Sequence, residues 1–198
     1  MANRHFIAIA FALVSGASHA AGADPIAAAN NELSYSGGWR NTGGSSQALL
    51  NLSASTQSAA LYSSAAGTYS FGHTLDFDLK VGNPLNLMSV VQFTPYVGYE
   101  HHRWTDVTYN ALGFGMLAQR AVAPGFVMGA EGFVGRTFSA SMNGDSGAAL
   151  SPSFALAAGL SADYAASRNV HLTASYRFER FIAKANTQTA MLGIAYAY

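Results

Sequence analysis

The sequence has few charged residues. Lysine, arginine, aspartate and glutamate make up 10% of the 198 residues, against about 25% in an average soluble domain. The ten basic and ten acidic residues cancel, so no electrostatic argument favours binding to nucleic acid. Scarce charge indicates a membrane protein, yet beyond the first fifteen residues no apolar run approaches the roughly 20 residues of a transmembrane helix. A membrane-embedded part would therefore consist of strands.

Cysteine is absent from the sequence. The chain can therefore form neither disulfides nor thiolate metal sites. We expect no cofactor and no metal, and a fold that depends on hydrogen bonding and packing alone.

The first twenty residues have the three parts of a cleavable signal peptide. Arg4 supplies the positive charge, residues 6–14 (FIAIAFALV) form the apolar core, and Ser18-His19-Ala20 is a small-x-small cleavage site. Nine apolar residues are too few for a retained membrane anchor. We expect cleavage after residue 20, a short periplasmic lead over 21–31 and one domain over 32–198.

Apolar and polar residues alternate along most of the remaining chain, and this period of two predicts strands. The clearest case is Tyr69 to Val81, where every charged side chain lies on one face. The predicted strands are 33–40, 69–81, 91–100, 112–119, 126–135, 153–164, 170–179 and 189–198. Short turns at 82–86, 120–124 and 165–169 oppose longer connections, which is typical of outer-membrane barrels. We predict an all-β fold, an eight-stranded antiparallel transmembrane barrel.

The segment from Asn41 to Thr68 carries no charge and is unusually long for a loop. It is predicted to be an extracellular loop that folds over the barrel or adheres to another surface. The alternative is an extra hairpin from residues 48–54 and 58–65, which gives ten strands. Either number is even, so both termini are expected on the periplasmic side.

Alternation alone does not decide whether the apolar face points outward to lipid or inward to a ligand. The polar face is rich in small residues and has too few lysines and glutamates for a solvated surface, which favours an apolar exterior. Aromatic residues near strand ends would form interfacial girdles. We expect one group near the loops, namely Trp39, Tyr69, Phe71, Tyr99, Tyr109, Phe138 and Phe178, and a second near the turns, namely Phe126, Tyr164 and Tyr198.

Seven charged residues share the polar face and would meet inside the barrel: Asp76, Asp78, Lys80, Glu100, Glu131, Arg177 and Glu179. Buried charges must pair, because an isolated one costs several kcal/mol. We interpret them as a structural network that fills the lumen, with Arg177 and Glu131 as the preferred pair. A gated pore is the alternative, although an eight-stranded interior is only wide enough for side chains.

Two histidine patterns suggest chemistry. His171 and Ser175 lie four residues apart on one face, which suggests a hydrolase similar to the small-barrel lipid A deacylases. On a strand this spacing corresponds to about 13 Å, and the His-x-Ser-Asn motif of that family is absent, so both are weak catalytic candidates. His101 and His102 beside Glu100 could bind a metal, but solvated loop histidines are the simpler interpretation.

The chain ends on an aromatic residue preceded by apolar side chains at every second position: Ala190, Leu192, Ile194, Tyr196 and Tyr198. This ending resembles the carboxy-terminal signature of bacterial outer-membrane barrels, which implies recognition by the barrel assembly machinery. Residues 32–198 resemble the short barrels of the opacity, OmpX and OmpA transmembrane-domain type, and the turn over residues 166–170 (ASRNV) resembles theirs.

The resemblance implies a porin-like or surface protein of the outer membrane of a Gram-negative bacterium. We expect it to be non-enzymatic, to contact membrane lipids and lipopolysaccharide, and to act through extracellular loops on an extracellular ligand, in adhesion, surface protection or envelope integrity. The alternatives are a lipid A-modifying enzyme such as a deacylase, and a narrow small-solute pore.

Overall fold

The computed structural model describes residue 26 and residues 29–72, 74–88, 91–103, 107–142, 153–181 and 185–198. Within these ranges the chain forms one antiparallel sheet, whose strands are β1 (Glu32–Thr42), β2 (Ser45–Gln57), β3 (Tyr62–Ser70), β4 (Leu75–Gly82), β5 (Leu85–Met88), β6 (Val91–Arg103), β7 (Val107–Ala123), β8 (Phe126–Met142), β9 (Phe154–Ala165), β10 (Val170–Phe181) and β11 (Ala185–Ala197). The predicted signal peptide lies outside the described residues. The described part contains no helix long and apolar enough to cross a membrane.

The sheet closes into a barrel of ten strands. Sequence neighbours pair around the sheet, β1 pairs with β11, and the pairing of β4 with β6 closes the ring. The four-residue strand β5 pairs only with β6. It forms a short hairpin with β6 and is not one of the ten strands of the closed barrel. The all-β antiparallel barrel is confirmed. The eight-strand prediction was wrong, and the ten-strand alternative is confirmed.

The two additional strands come from the uncharged segment that was expected to form an extracellular loop. Gly43 and Gly44 have φ angles of 57° and 91°, as a two-residue hairpin turn requires, and they connect β1 to β2. Ser58 N donates to Leu61 O at 2.7 Å in the turn between β2 and β3. Residues 41–68 are therefore mostly barrel wall, and the second strand of the hairpin begins at Tyr62.

Tyr69 to Val81, predicted as one strand, is divided between β3 and β4. Ser70 N donates to Thr74 O at 3.0 Å, and the two hydroxyl groups lie 2.6 Å apart. Because Ser70 and Thr74 are four positions apart, the apolar and polar faces keep the same parity on both sides of the turn. The alternation therefore continues through a reversal of the chain, and the pattern hides the turn.

Apolar side chains cover the outer surface of the wall, and small, polar or aromatic side chains line its interior. Leu192, Ile194 and Phe114 are 68%, 58% and 72% exposed, whereas Thr94 and Thr187 are fully buried. Trp39, Phe71, Phe138 and Tyr164 are also exposed, as expected for girdle positions. Tyr109 was placed in the girdle wrongly, since it is 1% exposed and faces inward. It lies three residues before outward Leu112, and an odd spacing on a strand reverses the face.

The barrel has two different ends. At the end that we call the terminal end, Glu32 pairs with Ala197, and the connections at 58–61, 83–84, 124–125 and 166–169 lie at this end. At the opposite end, the loop end, the connections at 43–44 and 71–74 are short, and the others run through residues 104–106, 143–153 and 182–184. The barrel interior between these ends holds the candidate site.

Candidate functional site in the barrel lumen

Five strands bring charged side chains into one region of the lumen. Asp76 lies opposite His102, and Asp78 opposite Glu100, on the paired strands β4 and β6. Lys80 follows on β4, Glu131 projects from β8, and Arg177 and Glu179 project from β10. The structure thus brings together all seven charged residues selected from the sequence, and Arg40 of β1 joins them.

Each basic side chain of this lumen network contacts a carboxylate on another strand. Arg40 Nη1 forms an ion pair with Asp76 Oδ2, and Lys80 Nζ lies 2.6 Å from Glu131 Oε1. Arg177 forms an ion pair with Glu100 and places its Nε 2.8 Å from Glu179 Oε1. The pair preferred from the sequence, Arg177 with Glu131, is the longest of these at 3.9 Å.

His102 lies at the centre of the acidic side chains. Its Nδ1 is 3.3 Å from Asp76 Oδ1, and its Nε2 is 3.7 Å from oxygen atoms of Asp78, Glu100 and Glu179. The ring stacks on Tyr109 with 4.9 Å between centroids and is 1% exposed. The interpretation of His102 as a solvated loop histidine was therefore wrong.

Aromatic side chains fill one side of the lumen. The Tyr96 ring stacks on Phe133 at 6.4 Å, its hydroxyl donates to Glu131, and Lys80 Nζ lies 5.4 Å from its centroid. The ring occupies the space in front of Gly115, where a Cβ would lie 2.1 Å from Tyr96 Cζ. On the opposite side, small residues of the strands around β1 border a cavity of about 310 Å³.

The lumen is acidic. All acidic residues in the described part of the chain are found there: Glu32, Asp76, Asp78, Glu100, Glu131, Asp163 and Glu179. Arg40, Lys80 and Arg177 are the basic residues that accompany them. The other described basic residues are exposed: Arg103, Arg120, Arg136, Arg168 and Arg180. Seven acidic side chains thus share the lumen with three basic ones.

The lead before β1 closes part of the terminal end. Asn30 Nδ2 donates to Gln57 Oε1 and to Gln119 Oε1, each at 2.7 Å, and Gln119 Nε2 donates back at 2.9 Å. Ile26 packs in a buried apolar cluster with Val127. These contacts join the lead to side chains from β2, β7 and β8, so the lead is packed into the barrel mouth.

The two weak catalytic candidates are not brought together. His171 Nδ1 lies 2.8 Å from Asp163 Oδ1. In the sheet, His171 pairs with Ala165 of β9 and Ala195 of β11. Ser175 lies four residues further along β10, where it pairs with Ser161 and Met191. The partner of His171 is therefore a carboxylate, and no serine nucleophile is placed beside it in the described residues.

The carboxy-terminal residues lie as the alternation predicts. Leu192, Ile194 and Tyr196 face outward. Tyr198 follows the last strand, its hydroxyl donates to Ser55 O at 2.7 Å, and its backbone N donates to Asn31 O at 3.1 Å. Recognition by the assembly machinery stays a prediction.

The seven-residue network predicted from the sequence left out Arg40, His102, Glu32 and Asp163, which also line the lumen. A signal existed for each of them. Arg40 has the same parity as Ser34 and Ser36, and His102 has the same parity as Glu100. Arg40 and Asp163 already lie on the inward face of the predicted strands 33–40 and 153–164, and extending strands by one or two residues would have added Glu32 and His102.

No known protein family matches the sequence, and no curated protein matches it. Among solved structures, the outer membrane protease OmpT of Escherichia coli aligns over 84% of this chain and 95% of its own, with a TM-score of 0.54 and 10% identity. The NanC porin aligns over 84% of this chain and 100% of its own (TM-score 0.49, 12% identity). Ail, the attachment invasion locus protein of Yersinia pestis, aligns over 84% and 97% (TM-score 0.42, 12% identity).

The alignment with the outer membrane protease OmpT confirms, at the level of the fold, the predicted resemblance to bacterial outer-membrane barrels. The narrower resemblance to the OmpX and OmpA barrels stays a prediction.

Proposed function

We propose that the protein is a non-enzymatic barrel of the outer membrane of a Gram-negative bacterium, whose lumen is closed by the lumen network and which acts from the cell surface. The observation that carries the proposal is the set of ion pairs across the interior, which join β1 to β4, β4 to β8 and β6 to β10. Removing one partner of a buried pair leaves an uncompensated charge. The network therefore holds the interior in one arrangement.

The outer surface supports a location in a membrane. Its strands expose apolar side chains such as Leu160 and Leu192 along the wall, and a closed antiparallel barrel leaves no strand edge unpaired in lipid. The predicted signal peptide provides the export route that such a location requires.

Exposed arginines support contact with anionic lipids, including lipopolysaccharide, at the loop end. Arg103 is the last residue of β6 and Arg180 the next to last of β10, and both are exposed. Arginine can extend its charged group to a lipid headgroup while its stem stays on apolar surface, and its planar guanidinium suits phosphate.

The loop-mediated role needs a revised location. The longest of the expected loops, residues 41–68, forms β2, β3 and short turns. An extracellular ligand would therefore have to contact the remaining connections of the loop end, at 71–74, 104–106, 143–153 and 182–184.

The lipid A deacylase alternative is not supported by the geometry. His171 is buried at the terminal end of the lumen, beside Asp163. Ser175 lines the interior cavity farther along β10. A lipid substrate would reach neither residue from the outer surface.

A narrow cation-selective pore is a second candidate, and the excess of acidic side chains in the lumen favours it. Carboxylates along a pathway attract cations and repel anions. Ten strands also enclose more space than the eight that were predicted, and a cavity of about 310 Å³ remains beside the network. In this candidate, the packed lead would close the terminal end.

Conductance in planar lipid bilayers distinguishes the two functions. We expect no steady current from the wild type, and none from Asn30→Ala, which removes the side chain that joins the lead to Gln57 and Gln119. Asn110→Ala is the matched control, because Asn110 bonds Tyr99 and His101 on the outer face. A cation-selective current in the wild type that increases in Asn30→Ala, but not in the control, would contradict the closed barrel and support the pore.

A further inference from the structure

Three metal-ligating side chains meet at the terminal end of the lumen, outside the lumen network. Glu32 is the first residue of β1, Asp163 lies near the end of β9, and His171 lies near the start of β10. One donor atom from each residue lies within 4.8 Å of the other two. Donors at about 2.0–2.2 Å from one tetrahedral ion are about 3.3–3.6 Å apart, so small side-chain adjustments would bring these three donors to a shared ion.

The donors are withdrawn from solvent and incompletely satisfied. His171 is 3% exposed. Glu32 Oε2 and Asp163 Oδ2 are buried oxygen atoms that have no hydrogen-bond partner. Buried polar atoms are nearly always paired in folded proteins, and an unpaired one calls for an explanation such as a bound ion.

Basic side chains do not compensate these carboxylates. In the described part of the chain, neither Glu32 nor Asp163 has a lysine or arginine within 4.0 Å, and the ion-pair partner of Asp163 is His171. The second cluster of donors, Asp78, Glu100 and His102, differs in this respect, because Arg177 forms an ion pair with Glu100. The terminal-end cluster thus has carboxylates without a neighbouring fixed cation.

We propose that Glu32, Asp163 and His171 bind a divalent transition-metal cation of the zinc class. Two carboxylate oxygens and one imidazole nitrogen form a ligand set that zinc accepts, with a fourth position left to water. Glu32 and Asp163 line the interior cavity, which gives the ion and the water a route to the site. The bound ion ties the beginning of β1 to the β9–β10 hairpin beside the packed lead, and it does so whether or not the lumen conducts.

Zinc binding to the full mature chain in detergent micelles tests the site. The protein for this experiment is prepared without a polyhistidine tag, because a tag would itself bind zinc. Calorimetric titration and elemental analysis after dialysis are expected to show one zinc per wild-type chain. Glu32→Gln and Asp163→Asn are each expected to weaken binding by more than about tenfold. Both variants replace a carboxyl group by an amide of nearly the same size, so they should still assemble. Heat-modifiable migration checks that they do.

Two further measurements sharpen the test. Zinc is expected to raise the unfolding temperature of the wild type but not of Asp163→Asn, since a ligand stabilises the state that binds it. Affinity should decrease between pH 7.5 and pH 5.5, because protons compete for the ligand atoms. His101→Gln is the matched histidine control, because His101 bonds Asn110 on the outer face, and it should bind zinc as the wild type does.

Three results would overturn the proposal. The first is a wild-type chain that binds no zinc at millimolar concentration. The second is unchanged affinity in both Glu32→Gln and Asp163→Asn. The third is binding that survives His171→Gln but disappears in His102→Gln, which would assign the ion to the cluster of Asp78, Glu100 and His102.

Discussion

Replacing Leu192 by arginine tests whether the apolar outer surface faces lipid. Leu192 lies in the middle of β11, between Gly37 of β1 and Ala174 of β10, and is 68% exposed. An arginine on the lipid face of a barrel costs about 2–4 kcal/mol at the bilayer midplane. That range corresponds to a roughly 30- to 700-fold decrease in the folding equilibrium constant. Urea unfolding in lipid vesicles, followed by tryptophan fluorescence, measures the difference directly.

Val170→Arg provides the matched control at a different depth. Val170 is the first residue of β10, at the terminal end, and also faces outward. The cost of arginine decreases to about 0–1 kcal/mol near the membrane interfaces. The urea concentration at which Val170→Arg unfolds should therefore be close to that of the wild type. Equal and small effects at both positions would indicate that the outer surface is in contact with water, and the membrane assignment would be wrong.

Three other substitutions test the interior and the end of the chain. Arg177→Met should destabilise the barrel by about 3–5 kcal/mol, because Glu100 loses its partner in a buried site; a loss below about 1 kcal/mol in the same urea assay would argue against a structural network. Gly115→Ala should destabilise it by about 1–3 kcal/mol, because the added Cβ would overlap the Tyr96 ring, and an unchanged unfolding midpoint would place the ring elsewhere. Deleting Tyr198 should slow assembly, as seen by heat-modifiable migration, since its hydroxyl and backbone N both bond the barrel; normal migration would exclude a role for this residue.

The part of the fold that could be predicted is the part that alternation determines. Val91 to Glu100 and Val170 to Glu179 alternate without interruption, and both lie inside observed strands, β6 and β10. A period of two fixes which face a side chain occupies, because successive side chains on a strand point to opposite sides. Six of the seven network residues lie on strands whose alternation is clear, and the seventh, Glu131, lies on β8, where Val127 and Phe133 obscure the pattern because they fill the lumen.

The strand number could not be read from the same signal. Strands β2 and β3 consist largely of serine, alanine and threonine, and their inward and outward residues differ little in polarity, so alternation is weak. The available signal was the Gly43-Gly44 pair, a strong marker of a two-residue hairpin. Small residues of this kind are common in loops, but they also suit the wall of a narrow lumen. Small side chains there leave space for Arg40 and Lys80.

The ion pairs themselves lay beyond sequence reasoning for a geometric reason. Alternation places Arg177 and Glu131 on the same face of two strands, but the rotamers of long side chains decide which carboxylate each basic group reaches. Glu179 lies on the same strand as Arg177 and two residues away, so it competes directly with partners across the lumen. Glu131 is already held by Lys80 and by the Tyr96 hydroxyl, which leaves Glu100 as the cross-lumen partner that Arg177 contacts most closely. The network is therefore a property of the closed ring of strands, and it forms only when β4, β6, β8 and β10 surround the same space.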